Sequence, residues 1–192
     1  MYELPTSVII DGKQYKIRNN GDYRIILDVI AACEDSDLNS TEQAVEALII
    51  FYDDLSCMND IWATFVDVKD AVNAMMQFIS MNGANVGHTA KHKLIDWKQD
   101  EALIVSAINN VARTEIRALS YLHWWTFLGY YMAVGESSLS TVVSIRDKIA
   151  KHKKLEKYEQ EFRKDNPQYF TWNQTTLTEN EKAFEDEINE NW

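Results

Sequence analysis

Apolar and polar positions alternate at the start of the chain and then settle into helical spacing. Residues 7–10 and 13–17 flank Asp11-Gly12. That dipeptide between β-rich runs predicts a hairpin, because a type I′ turn needs positive φ at both central residues. Val8, Ile10, Tyr15 and Ile17 supply its apolar face, and a lone hairpin must dock on something to be stable in water. Asn20-Gly21 ends the second strand, and Asp22 is placed to cap a helix to about Cys33 with Ile25, Ile26, Val29 and Ile30 along it. Ser40-Thr-Glu-Gln43 reads as a capping box opening a second helix. A helical region follows from Asn59 or Asp60 to about Met81, either one helix or two broken near Asp67. After an interruption at 82–93, expected as a loop, helical spacing resumes over 94–109 with Trp97 included. Ser137 or Ser138 is placed to cap a further helix, and a basic stretch over 146–164 follows until Pro167 halts it.

The most apolar run is 118–135, ALSYLHWWTFLGYYMAVG, which has no formal charge. It predicts a helix apolar nearly all round, with Gly135 as its C-cap. It is slightly short for a bilayer span and carries Ser120, His123, Thr126 and three tyrosines. The expectation is a central core helix.

Composition narrows this picture to a mainly α fold, a helical bundle with a short N-terminal β-hairpin. With 46% hydrophobic residues in 192, the chain has enough apolar surface for a core, and two prolines and six glycines favour long helices. The organisation expected is a core domain over 1–164 and an acidic aromatic tail over 165–192. A net charge of -11 argues against nucleic acid as the main partner. Cys33 and Cys57 form no metal or disulfide pattern, and residues 1–13 do not read as a signal peptide. A reducing cytoplasm is the expected setting.

Candidate chemistry is sparse. Asp35, Asp37, Asn39 and Glu46 mimic EF-hand positions, but Ser40 stands where the sharp turn wants glycine. His88 and His92 lie four apart without the Glu of a zincin motif. No phosphate loop or nucleophile elbow occurs. No catalytic, cofactor-binding or metal-ligating residue is therefore assigned, and no enzymatic activity is expected. His123 reads as a buried, hydrogen-bonded core residue. Met75 and Met76, with the seam Leu155, Tyr158 and Phe162 in the basic stretch, are the candidate partner-binding residues. Arg146 to Lys164 counts eight Lys or Arg against four acids.

The run Tyr121, Leu122, His123, Trp124, Trp125, Thr126, Phe127, Leu128 resembles the signature of a family of bacteriophage proteins labelled by gene order as "gene product fifteen". Leu4-Pro5-Thr6 before the hairpin, Asp96-Trp97-Lys98-Gln99-Asp100, and Ile145-Arg146 before a lysine-rich stretch agree in order. The resemblance spans 3–164 and departs around 65–86 and after Pro167. It implies a protein of phage or prophage tail operons. It is similar to tail assembly chaperones, which keep a tape-measure protein soluble in the host cytoplasm until tube protein coats it. The resemblance carries over no catalytic residue, and it makes 121–128 a structural core motif. The alternative is a minor virion protein of the tail or head-tail connector. Tape-measure or tube protein is the expected partner, with homo-oligomerisation possible in principle and neither nucleic acid nor membrane expected.

Overall fold

The computed structural model describes residues 3–81, 83 and 92–172. Strands β1 (Ser7–Ile10) and β2 (Lys13–Lys16) pair antiparallel, Val8 opposite Tyr15 and Ile10 opposite Lys13. Asp11 and Gly12 both take positive φ, 50° and 76°, as the I′ turn requires. Ile10 and Ile17 are buried and Ile9, on the other face, is exposed. The hairpin packs, through β1, on the helix Val68–Ile79, and Tyr15 meets the rings of Tyr52 and Phe65.

Helix α1 (Tyr23–Glu34) is capped by the Asp22 carboxylate, which accepts from the Arg24 N–H at 3.0 Å. Helix α2 (Ser40–Phe51) packs along it. Its capping box sits one residue earlier than the sequence suggests. Asn39 accepts from the N–H groups of Thr41 and Glu42, and Glu42 accepts from Asn39 N–H. Asn39 takes the position because its amide oxygen is as good an acceptor there as a serine hydroxyl. The region after α2 is two helices, α3 (Met58–Thr64) and α4 (Val68–Ile79), with Asp67 capping the second. Met75 is 1% exposed inside the core and Met76 lies at the surface. That removes Met75 from the candidate contact surface.

Past 81 only residues 83, 92 and 93 of the expected loop are described, so His88 lies outside the described residues. The expected helix over 94–109 is instead α5 (Glu101–Ala112). Residues 96–100 form a turn, because the Asp96 carboxylate accepts from the N–H groups of Lys98 and Gln99. The uncharged run also divides. A 3-10 turn spans Ile116–Ala118, residues 119–123 are extended or irregular, and α6 covers only Trp124–Met132. Its end is capped at Ala133, so Gly135 lies beyond the helix. No helix among the described residues is long and apolar enough to cross a membrane.

Helix α7 (Ser138–Ala150), capped by Ser137 through Ser140 N–H, packs on α5. The basic stretch is not one helix. His152 turns to φ 54°, and α8 (Lys157–Asp165) starts afresh under a Glu156–Glu159 capping box.

Candidate functional site

The motif around the two tryptophans is a fastening device. Residues 119–123 lie beside the start of α1. Tyr23 N–H donates to Leu122 O at 2.9 Å, and Leu122 N–H donates to the Asp22 carboxylate at 3.0 Å. The buried Asp22 is thus shared between a helix cap and a neighbouring extended segment. His123 is the N-cap of α6: its Nδ1 accepts from Trp125 N–H at 3.0 Å. A ring nitrogen that accepts carries no proton, so the neutral ring has its hydrogen on Nε2. That Nε2 donates to Pro5 O at 2.9 Å. Burial pushes the imidazole below its ordinary range, partly offset by the Pro5 carbonyl and the Asp22 carboxylate.

Both indoles then reach the end of α4. Trp124 Nε1 donates to Ile79 O and Trp125 Nε1 to Phe78 O, each at 2.9 Å. These carbonyls belong to the last turn of a helix, where the regular i+4 donors run out; Phe78 O also accepts from Met81 N–H at 3.1 Å. Phe127 stacks on Tyr23 at 4.7 Å between ring centroids, and Leu128 is fully buried. Tyr121 is exposed, its hydroxyl donating to Asn20 O. Gly21, at φ 76°, lies under this clamp, and a Cβ there would come within 2.9 Å of the Phe78 ring and 3.3 Å of His123 Nε2.

The second motif pair also meets. Asp100 and Arg146, 0% and 5% exposed, form a bidentate pair at 2.5 and 2.9 Å. Arg146 further donates to Leu94 O and Tyr169 O, and Asp100 accepts from Asp96 N–H. Trp97, in the same turn, packs against the rings of Trp124, Phe127 and Tyr131. By sequence Arg146 belongs to the basic stretch over 146–164. The structure withdraws it from the surface.

Sequence reasoning also missed Arg18. Its guanidinium donates to the carbonyls of Ile49, Ile50, Tyr52 and Leu55 at 2.7 to 3.0 Å, closing the C-terminus of α2. Nothing local marks it, since its partners lie more than 30 residues away.

All these polar groups are spent on one another, and among the described residues no buried side-chain polar atom lacks a partner. The calcium mimic is likewise taken up by local structure: Asp35 accepts from Asp37 N–H and Asn39 caps α2. Among the described residues no group of three or more His, Cys, Asp or Glu is placed to hold a metal ion.

The clamp joins residues drawn from the whole chain, Pro5 with His123 and Asp100 with Arg146. These are the same scattered motif fragments that are singled out in the sequence. A family model described as Bacteriophage Gp15 protein matches residues 1–170. The chain belongs to the Bacteriophage Gp15 protein family. The match runs through the middle stretch around 65–86 as well as the tryptophan motif. No curated protein and no solved structure matches the chain.

In this Gp15 family member the surface offers two features for a partner. One is apolar. Met58 and Trp62 lie four apart on α3, 49% and 59% exposed, and Val66, just past its end, is 99% exposed. Asp53, Asp54, Asp67 and Asp70 are exposed on the flanking segments. The other is the α7–α8 region, where Tyr158 is exposed and Leu155 and Phe162 are half-buried, Phe162 meeting Phe170 edge-on. The seam expected from Leu155, Tyr158 and Phe162 is therefore partly covered by the chain's own residues after Pro167.

Proposed function

We propose that this protein acts without catalysis in phage tail morphogenesis, as an assembly chaperone that holds apolar helical segments of a tape-measure protein. Membership of the Gp15 family supports a structural or morphogenetic phage role. The observation that carries the finer reading is the exposure of Met58 and Trp62, one turn apart on α3, with Val66 exposed just past its end. A tryptophan more than half exposed one helical turn from an exposed methionine is costly to leave in water, and exposed apolar patches mark interaction sites. Spacing of four along α3 suits an amphipathic helix as partner. The exposed aspartates on either side favour a helix whose flanks are basic, through charge complementarity.

Co-expression with a long tape-measure fragment tests this. The fragment should stay soluble and co-purify with the wild-type protein. A fragment that remains insoluble and does not co-purify overturns the proposal. Mass spectrometry of finished particles addresses the alternative of a minor virion component. A chaperone is absent from completed tails, whereas a virion protein is present in fixed stoichiometry.

A further inference from the structure

Residues 19–21 are held in a conformation that L-residues rarely adopt. Asn19 (φ 50°, ψ 34°), Asn20 (φ 54°, ψ 29°) and Gly21 (φ 76°) follow one another with positive φ. Residues visit the left-handed region singly, because Cβ crowds the following carbonyl, and asparagine tolerates it better than most. Three in succession persist only where the surroundings over-determine them. Here the surroundings are the clamp. Asn20 N–H donates to Ile17 O at 3.0 Å, and Asp22 N–H to Asn19 O at 3.2 Å. The Tyr121 hydroxyl donates to Asn20 O at 2.9 Å. Gly21 is buried against Phe78 and His123, too close to either for a Cβ, while Asn20 is exposed.

An asparagine before glycine is chemically labile. The glycine nitrogen, unhindered by a side chain, can attack the asparagine side-chain carbonyl and close a five-membered imide. The chain has two such pairs, Asn20-Gly21 and Asn82-Gly83, and Asn82 lies outside the described residues. Ring closure requires the Gly21 nitrogen and the Asn20 Cβ on the same side of the Asn20 Cα–C bond. At ψ 29° the nitrogen lies nearly opposite Cβ. The peptide between Asn20 and Gly21 must therefore swing through more than a right angle before the ring can form. It cannot do so while Tyr121 holds the Asn20 carbonyl and the Phe78 and His123 rings enclose Gly21.

We propose that Asn20 is a latent deamidation site that the clamp keeps shut, so that conversion proceeds only in molecules whose clamp has opened. In the open turn the Gly21 nitrogen gives its proton to solvent base as it bonds to Asn20 Cγ. The Cγ–Nδ2 bond then breaks, and the amide nitrogen takes a proton from solvent and leaves as ammonia. Water opens the cyclic imide at either carbonyl, giving aspartate or isoaspartate at position 20. In the isoaspartyl form the main chain runs through Cβ and Cγ and is one carbon longer. The carbonyl that met Tyr121 has become a free carboxylate. The left-handed turn does not re-form around it, so the step runs one way and marks a chain whose clamp has been open.

Wild-type protein and Tyr121→Phe, each aged in mildly alkaline buffer both folded and in concentrated urea, provide the test. Mass spectrometry with separation of isomers follows the tryptic peptide 19–24, bounded by Arg18 and Arg24. Folded wild type should convert at least about tenfold more slowly than the unfolded chain, because local opening must come first. Tyr121→Phe removes one hydrogen bond at an exposed ring. It should speed conversion in the folded state roughly two- to tenfold, with the rate in urea unchanged. Both isoaspartate and aspartate should appear. Below the unfolding transition, conversion should rise less steeply with urea than global unfolding does, as a local opening exposes less surface. Equal rates in folded and unfolded wild type would overturn the proposal, as would a folded Tyr121→Phe that converts no faster than wild type. Conversion that tracks global unfolding alone, or none even in urea, also overturns it. Aspartate without isoaspartate would mean direct hydrolysis of the amide and would remove the ring step.

Discussion

Asp100 and Arg146, 46 positions apart, meet in a buried bidentate ion pair. The pair joins the turn before α5 to the middle of α7, and its spare donors hold the chain at Leu94 and Tyr169. Breaking a buried pair by removing one partner leaves an uncompensated charge, at a cost of about 3–5 kcal/mol. Asp100→Ala should therefore lower the urea midpoint sharply. Asp100→Ala/Arg146→Met should lose less than the two single changes added together, as a double-mutant cycle will read.

His123 makes stability depend on pH. Protonation would place a hydrogen on Nδ1 facing the Trp125 N–H, donor against donor. The folded protein therefore holds the imidazole below its ordinary value, chiefly by burial. The unfolded chain binds more protons in the window between that lowered value and about 6.5, so stability is full above this window and falls as pH drops through it. His123→Asn retains a side-chain acceptor for Trp125 N–H but strands the Pro5 carbonyl. It should cost about 1–3 kcal/mol at pH 7, and the slope of stability between pH 7 and 5 should flatten. Denaturant titrations across that range decide it.

Gly21 is required twice over, by its φ of 76° and by the Phe78 ring 2.9 Å from where a Cβ would stand. Gly21→Ala should destabilise by roughly 1–3 kcal/mol. Gly12, whose φ is also 76°, has open space around it. Gly12→Ala should therefore cost less, and thermal melts of the two variants give the comparison.

The α3 stripe separates binding from folding. Trp62→Lys with Met58→Lys alters exposed positions only, and surface substitutions of this kind stay within about 0.5 kcal/mol each. Co-purification with a tape-measure fragment should nonetheless be lost. Met75→Lys, in the core, should instead unfold the protein, because it buries an unpaired charge.

Local patterns carried the elements that depend on local chemistry. Asp11-Gly12, Asp22, Ser137 and the break at Asp67 are each signalled by residues within one turn of where they act. The uncharged run misled because apolarity does not say whether a segment is helical. A histidine with a buried acceptor nitrogen can serve as an N-cap, and it looks like any other core residue in a hydropathy pattern. Charge counting failed for the same reason at Arg146, where burial and a distant aspartate decide the outcome. The long-range partners of Arg18 and Asp100 have no periodicity to reveal them. The motif fragments Asp96 to Asp100 and Ile145-Arg146 are in retrospect the two halves of one contact.

The indoles of Trp124 and Trp125 grip the carbonyls of Ile79 and Phe78, two and three residues before Met81. On the return side Lys93 is tied to both Glu34 and Asp96. Residues 82–91 are thus bracketed by two anchors that owe nothing to the sequence between them. Doubling a loop's length costs only about 0.6 kcal/mol once its ends are fixed. An epitope or fluorescent tag spliced between Met81 and His92 should leave the melting profile nearly intact. That makes 82–91 a place to attach a label while both anchors stay intact.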